Sequence, residues 1–249
     1  MHKGAVFREK IMIETGNTAA AKFDTGRAAE YAVQSRIALA GYDACHELAA
    51  CLLAADLGPG RAARVLVAGA GGTAQEIIAA ARLEPLWHFT AVDLSAPMLE
   101  LAMTAVGEAG LAARTTPVLG EVGVLPAEAV YDAATLIGVL HHLPGLSAKQ
   151  AIFEALAVRL KPGAPLILAG NRHVYASRPL FLAAWGERWR MHGASAEEIE
   201  AKLGKIRQGA DPPASDQAVA EMLTQAGFEE PTLFFSSLFW GGWITHRRG

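Results

Sequence analysis

The sequence predicts an α/β fold, a doubly wound sheet of seven strands whose last strand is antiparallel, preceded by N-terminal helices and interrupted late by a helical cap. Three observations carry this expectation. From Arg64 onward, short apolar runs alternate with longer helical stretches, the pattern of parallel strands joined by crossover helices. The first run, Val65 to Ala68, ends in Gly69, Gly71 and Gly72 just before a helix begins. Two late runs, Pro231 to Ser236 and Phe239 to His246, are so closely connected that they must pair antiparallel.

The elements follow in order. A helix is expected over Phe23 to Ala40, interrupted at Gly41-Tyr42. A second covers Tyr42 to Leu57, with Leu48, Cys51, Leu52 and Ala55 at helical spacing, and Gly58-Pro59-Gly60 stops it. Strands are expected at Val65 to Ala68, Trp87 to Asp93, Thr116 to Leu119, Tyr131 to Gly138 and Leu166 to Ala169. Helices are expected at Thr73 to Arg82, Ala96 to Glu108 and Ala148 to Leu160. The stretch Pro179 to Arg207, helical and rich in Trp, Arg and Glu, departs from the alternation, and a helix over Gln217 to Ala226 precedes the hairpin. The organisation expected is a helical segment over 1–60 and a main domain over 61–249, with an insertion at about 176–210.

Composition narrows the class. Of the 249 residues, 52% are hydrophobic and 19% charged, enough to bury a sizeable core, so a disordered chain is excluded. A net charge of −3 gives no global positive field for a phosphate backbone, so a nucleic-acid partner is not expected. It would need a local patch such as Arg172 with His246, Arg247 and Arg248. Cys45 and Cys51 are too few for a disulfide scaffold or a four-cysteine zinc site, and they do not share a helix face. No apolar run is long enough to span a membrane, and the first residues lack the apolar centre of a signal peptide, so a soluble cytoplasmic protein is expected.

The glycine turn carries the first chemistry. Glycine lets a ligand approach the backbone without a Cβ in the way, and the helix that follows offers unbonded N–H groups. Asp93 closes the next strand 22 residues beyond Gly71, where a carboxylate can accept both hydroxyls of an adenosine ribose. Gly69-Ala70-Gly71-Gly72-Thr73-Ala74 also fits the G-x-G-x-x-A dinucleotide fingerprint, which keeps an NAD(P)-dependent oxidoreductase open.

Later residues separate these readings. Val92-Asp93-Leu94-Ser95-Ala96-Pro97-Met98 resembles the second motif of class I S-adenosylmethionine (SAM) methyltransferases. Gly120-Glu121, the stretch Tyr131-Asp132 to Pro144, Leu160-Lys161-Pro162-Gly163 and Gln225-Ala226-Gly227-Phe228 resemble further family motifs, in family order, over about 62–247. The resemblance implies a Rossmann-like sheet and SAM as cofactor. It implies cofactor contacts at Gly69, Ala70, Gly71, Asp93, Leu94, Met98, Glu121, Val122 and Ile137. Two positions depart from the family: Val67 stands where the glycine motif begins with an acid, and Thr73 stands for the third glycine. The N–H groups of Gly69 to Gly71 are expected to remain available to the cofactor.

The N-terminal segment is similar to the carboxy-SAM synthase and its methyltransferase relatives through Arg36 and Tyr42 of Ser35-Arg36-Ile37-Ala38-Leu39-Ala40-Gly41-Tyr42. That resemblance implies Arg36 on the cofactor carboxylate and Tyr42 closing over it. The synthase also needs an arginine near Lys202-Leu203, where this chain has none. Plain methyl transfer to a small-molecule acceptor is therefore the reading favoured. A carboxy-SAM synthase-like enzyme and a non-catalytic SAM-binding subunit remain alternatives.

Methyl transfer is an in-line displacement with an activated donor, so the protein mainly positions the acceptor and excludes water. Candidates for acceptor chemistry lie after the fourth and fifth strands: His141, His142, Asn171, His173 and Tyr175. Adjacent histidines without carboxylate or cysteine partners make a poor metal site, and no metal is expected. Trp185 and Trp189 share a helix face, as a lid over an acceptor or as a packed cap. The aromatic C-terminal hairpin leaves a homodimer open.

Overall fold

A computed structural model describes residues 33–249. Of the helix expected over 23–40, residues 33–40 are described; 33–38 are helical and 39–40 form a bend and turn. Its earlier part, and the N-terminal stretch compared with a signal peptide, lie outside the described residues.

A seven-stranded sheet runs in the order β3-β2-β1-β4-β5-β7-β6. The strands are β1 (Ala63–Ala68), β2 (Trp87–Asp93), β3 (Thr115–Leu119), β4 (Ala133–Ile137), β5 (Pro165–Asn171), β6 (Thr232–Ser237) and β7 (Trp240–His246). The first five are parallel, and β7 lies antiparallel between β5 and β6. A dinucleotide-binding sheet ordered 3-2-1-4-5-6 keeps its sixth strand parallel, so this reversed strand separates the two architectures. Val67 is level with Ala91 of β2 and Thr135 of β4, which brings the carboxyl ends of β1, β2 and β4 to one edge.

Helices cover both faces. On one face pack α1 (Tyr42–Leu57), α2 (Gln75–Leu83) and α3 (Ala96–Glu108), burying Leu53, Ile77, Ala102 and Val106 against Val65 and Val67. On the other lie α4 (Gly145–Ala157) and α7 (Asp216–Gln225), whose Phe153, Leu156 and Leu223 meet Leu66, Leu136 and Leu168. Side-chain caps fix two starts: Ser95 accepts from the Met98 N–H at the head of α3, and Ser215 from the Ala218 N–H at the head of α7.

Helix α1 departs from its expected facing. Its inward residues are Tyr42, Cys45, His46, Ala49, Ala50 and Leu53, whereas Leu48, Cys51 and Ala55 are exposed and Leu52 is half-buried. The helix is apolar on both sides, so spacing alone did not select the buried one.

The cap consists of α5 (Pro179–Met191) and α6 (Ala196–Gly209), the latter opened by a capping box between Ser195 and Glu198. Trp185 and Trp189 are buried, as a packed cap requires. Trp185 Nε1 donates to the Ala38 carbonyl at 2.7 Å, and Arg188 donates to the carbonyls of Ile37 (2.7 Å) and Arg36 (2.9 Å). These carbonyls end helix 33–38, where no further turn could use them. Lys202 reaches Gln34 Oε1 at 3.0 Å. Tyr175, Trp185 and Phe239 form a small aromatic core beneath the cap.

The local basic patch does not form. Arg172 is buried, bonded to the Asp216 carboxylate and to Ser236 Oγ, while His246 pairs with Asp56 and Arg247 donates to the Ala157 carbonyl. The hairpin aromatics turn inward: Phe239 and Trp243 are buried, and Phe234, Phe235 and Trp240 pack on the α1 side of the sheet. No helix among the described residues is long and apolar enough to cross a membrane.

Candidate active site

A cleft of about 450 Å³ opens at the carboxyl ends of β1, β2 and β4, within the range of small-ligand sites. Its floor is Gly69 and Gly71. A Cβ on Gly71 would lie 2.6 Å from both Asp93 Oδ2 and Met98 Cβ, so the loop leaves no room for a side chain. Gly69 takes a positive φ of 72°, a conformation glycine adopts without strain.

Asp93 stands at the centre. One carboxylate oxygen accepts from the Gly71 N–H and the other from the Ser95 N–H, each at 2.8 Å. Burial raises its pKa from the ordinary carboxylate value, and these two donors oppose that rise. Each oxygen keeps a lone pair for a ligand hydroxyl. Leu94 and Met98 continue the wall from β2 and α3, and Glu121 and Val122 join from the turn after β3. Ile137, Val139 and His142 close it after β4, and α4 adds Ala148, Ala151, Ile152 and Ala155. One end is therefore polar and the slot beyond it apolar.

The glycine loop does not keep its N–H groups available. Gly69 and Ala70 both donate to the Val92 carbonyl, Gly71 to Asp93 and Gly72 to the Met98 carbonyl. The loop is a surface for close approach, and a pyrophosphate would find the N–H groups of residues 69 to 72 already taken.

Of the residues expected at the cofactor, Gly69, Gly71, Asp93, Leu94, Met98, Glu121, Val122 and Ile137 line this cleft. Ala70, Arg36 and Tyr42 do not. Ala70 is fully buried in the core on the α1 side. Arg36 bonds to Asp43 at 2.9 Å and lies over the Tyr42 ring. Tyr42 reaches the back of the glycine loop, its hydroxyl 2.5 Å from Thr73 Oγ1. Burial and the charge of Glu76 push that phenol well above its usual value.

The acceptor-side candidates separate as clearly. His142 lines the cleft. His141 is buried behind it, its Nδ1 accepting from the Asn171 N–H, which leaves the ring proton on Nε2. Tyr175 sits under the cap, where Asn171 Nδ2 donates to its hydroxyl at 2.8 Å and burial pushes the phenol up to about 12. His173 lies beyond β5, with burial, Arg172 and Arg178 lowering its pKa. Among the described residues, no group of three or more His, Cys, Asp or Glu side chains could hold a metal ion.

Sequence reasoning missed Glu76 and His46. Both are almost completely buried between α1 and α2 behind the glycine loop, with His46 Nε2 3.7 Å from Glu76 Oε2. The nearest signal was an acid in the first turn after the glycines, which reads as an ordinary helix-start residue. Also missed was Val139, whose side chain covers Gly69.

Residues 66–166 match the family model of a methyltransferase domain. The matched segment runs from β1 through α4 to the start of β5, the part of the chain that builds the cleft. No curated protein sequence matches the chain. Solved structures share its fold. An O-methyltransferase family protein from Burkholderia thailandensis is 16% identical over 94% of this chain and 64% of its own, with a TM-score of 0.62. An O-methyltransferase family 2 protein from Planctomyces limnophilus, solved with apigenin, is 15% identical over 94% and 66%, with a TM-score of 0.66. Human N-acetylserotonin methyltransferase, solved with SAM, is 13% identical over 91% and 57%, with a TM-score of 0.60. The chain thus spans between 57% and 66% of the length of these three structures.

Proposed function

We propose that the chain is a SAM-dependent methyltransferase acting on a small-molecule acceptor. The observation that carries the reading is the cleft itself: a glycine floor, Asp93 at the end of β2, Glu121 after β3 and an apolar slot beyond. These residues fit an adenosine. Asp93 accepts the ribose hydroxyls, Glu121 accepts from the adenine amino group, and Leu94, Val122 and Ile137 sandwich the base. SAM would supply a methyl group already activated by its sulfonium. The protein's part is to align the acceptor behind that methyl group and to keep water out.

His142, at the cleft wall, is the candidate for taking a proton from an acceptor hydroxyl. Residues 33–60 and the cap, held together by Arg188 and Trp185, would cover the site, with 61–249 as the methyltransferase domain. Structural neighbours named for N-acetylserotonin or solved with apigenin, the lost basic patch and the acidic net charge support a metabolite acceptor. Among the described residues, Arg36 is bonded to Asp43 and Lys202 to Gln34, and no lysine or arginine lines the cleft for an extra carboxylate, which favours plain methyl transfer over carboxy-SAM chemistry.

The test is a calorimetric SAM titration, with mass spectrometry of any ligand that co-purifies. Micromolar or tighter binding is expected. A carboxylated sulfonium among the released ligands would move the reading to the synthase type. Binding of a nicotinamide dinucleotide, or no SAM binding, would overturn it.

A further inference from the structure

A carboxylate taken out of water needs a cation, hydrogen-bond donors or a proton. The Glu76 side chain is only 9% exposed, yet its partners are few. It accepts from its own N–H, and His46 Nε2 lies 3.7 Å away, beyond hydrogen-bond length. His46 Nδ1 is 2.8 Å from the Tyr42 carbonyl, so that nitrogen carries the ring proton, and burial keeps the imidazole neutral. The groups facing Glu76 from α1 are Tyr42, Cys45 and His46, and the group facing it from β2 is Asp93. Arg36, beyond Tyr42, is bonded to Asp43.

The surroundings show what kind of ligand belongs here. The glycine-loop N–H groups are already bonded, and a carboxylate occupies the first turn of α2. An anion would meet the negative charge of Asp93 and Glu76, and the N–H groups of residues 69 to 72 already bonded. A cation would meet two carboxylates, Asp93 on the cleft wall and Glu76 behind the glycine loop, near enough that the charge of Asp93 raises the pKa of Glu76. Glu76 is almost completely removed from water, so a charge pair at it is little screened.

We propose that Glu76 binds the ammonium group of the cofactor's amino-acid arm, supplying from α2 the negative charge that Val67 cannot supply from β1. The proposal rests on the SAM reading above. Free of ligand, burial pushes the Glu76 carboxyl up to about 7, so near neutral pH it exchanges a proton for a ligand cation.

The experiment compares two probes by calorimetry. S-adenosylhomocysteine carries the amino-acid arm; 5′-methylthioadenosine is the same thioether nucleoside without it. In Glu76→Gln, about 10- to 100-fold weaker binding of S-adenosylhomocysteine is expected, as for a lost charge-assisted hydrogen bond, with methylthioadenosine within about threefold of wild type. Wild-type protein gives a second readout without any substitution. The ratio of the two affinities falls as pH drops below 7, approaching tenfold per pH unit, because protonated Glu76 no longer attracts the arm. Asp93 acts on the ribose of both probes and cancels in the ratio. An unchanged ratio in the variant, or a flat ratio from pH 8 to 6, overturns the proposal while SAM binding stands. Wild-type protein that binds neither probe overturns the SAM reading and the proposal with it.

Discussion

Asp93, on the cleft side of the glycine loop, accepts from the Gly71 and Ser95 N–H groups at 2.8 Å each. Glu76, on the α1 side, has its own N–H and a neutral imidazole 3.7 Å off. The two acids lie on either side of one turn, and the backbone solvates only the first. Asp93 is thereby part of the fold: its carboxylate ties the loop to the head of α3. Glu76 is a liability to the free protein, because nothing around it repays the loss of water. A site that holds a charged ligand can carry such a group if the ligand restores the balance.

This contrast can be broken from either side. The largest effect is expected from Asp93→Ala, which strands two buried N–H groups and removes the ribose acceptor. Stability should fall by about 2–4 kcal/mol in denaturant titrations, and SAM affinity by at least about 100-fold. Gly71→Ala should approach it, because the new methyl collides with Met98 Cβ, which no side-chain rotation can move. A loss of about 1–3 kcal/mol and undetectable nucleoside binding are expected.

Glu76→Gln should act in the opposite direction on the ligand-free protein. Its folded pKa, about 7, lies above the ordinary 4.5, so the folded state binds more protons between those values. Stability therefore falls as pH rises from 4.5 to 7 and stays low above it. The substitution should remove that slope and raise stability at pH 8 by about 1–3 kcal/mol in urea melts at pH 5 and 8. A variant less stable than wild type at pH 8 would make Glu76 a structural group and end the contrast with Asp93. The smallest effect is expected from Arg188→Ala, which frees the Arg36 and Ile37 carbonyls that the cap now holds. About 1–2 kcal/mol of stability and faster proteolysis near residues 33–40 are expected, with methylthioadenosine binding little changed.

Legibility in the sequence followed the same division. The strand–glycine–helix turn, Asp93 and the crossed hairpin were readable because each depends on local pattern: an apolar run, a spacing, a short connection. Helix α1 was readable as a helix but not in its facing. Its alanine-rich sides are alike, and the buried one carries Tyr42 and His46, polar-tipped residues that a search for apolar stripes passes over. The availability of the loop N–H groups was misjudged because their acceptors, the Val92 and Met98 carbonyls, belong to neighbouring elements. His141 and His142 are adjacent in sequence, yet only His142 lines the cleft, a consequence of the turn after β4 that composition does not encode. Glu76 was invisible for a related reason, since an acid in a helix's first turn is ordinary until α1 is laid across it.

The position of β7 bears on how the molecule is made. β5 finds its second neighbour only when β7 arrives, and about 70 residues separate them along the chain. At ribosomal rates of about 5–20 residues per second, the β5 edge waits roughly 3–14 seconds with its hydrogen-bonding groups unsatisfied. That edge carries Leu166, Ile167 and Leu168, a template onto which a stray strand could add. Nascent chains halted between α5 and α7 should therefore be the species that chaperones hold and that aggregates recruit, while the glycine loop and its two acids are already in place.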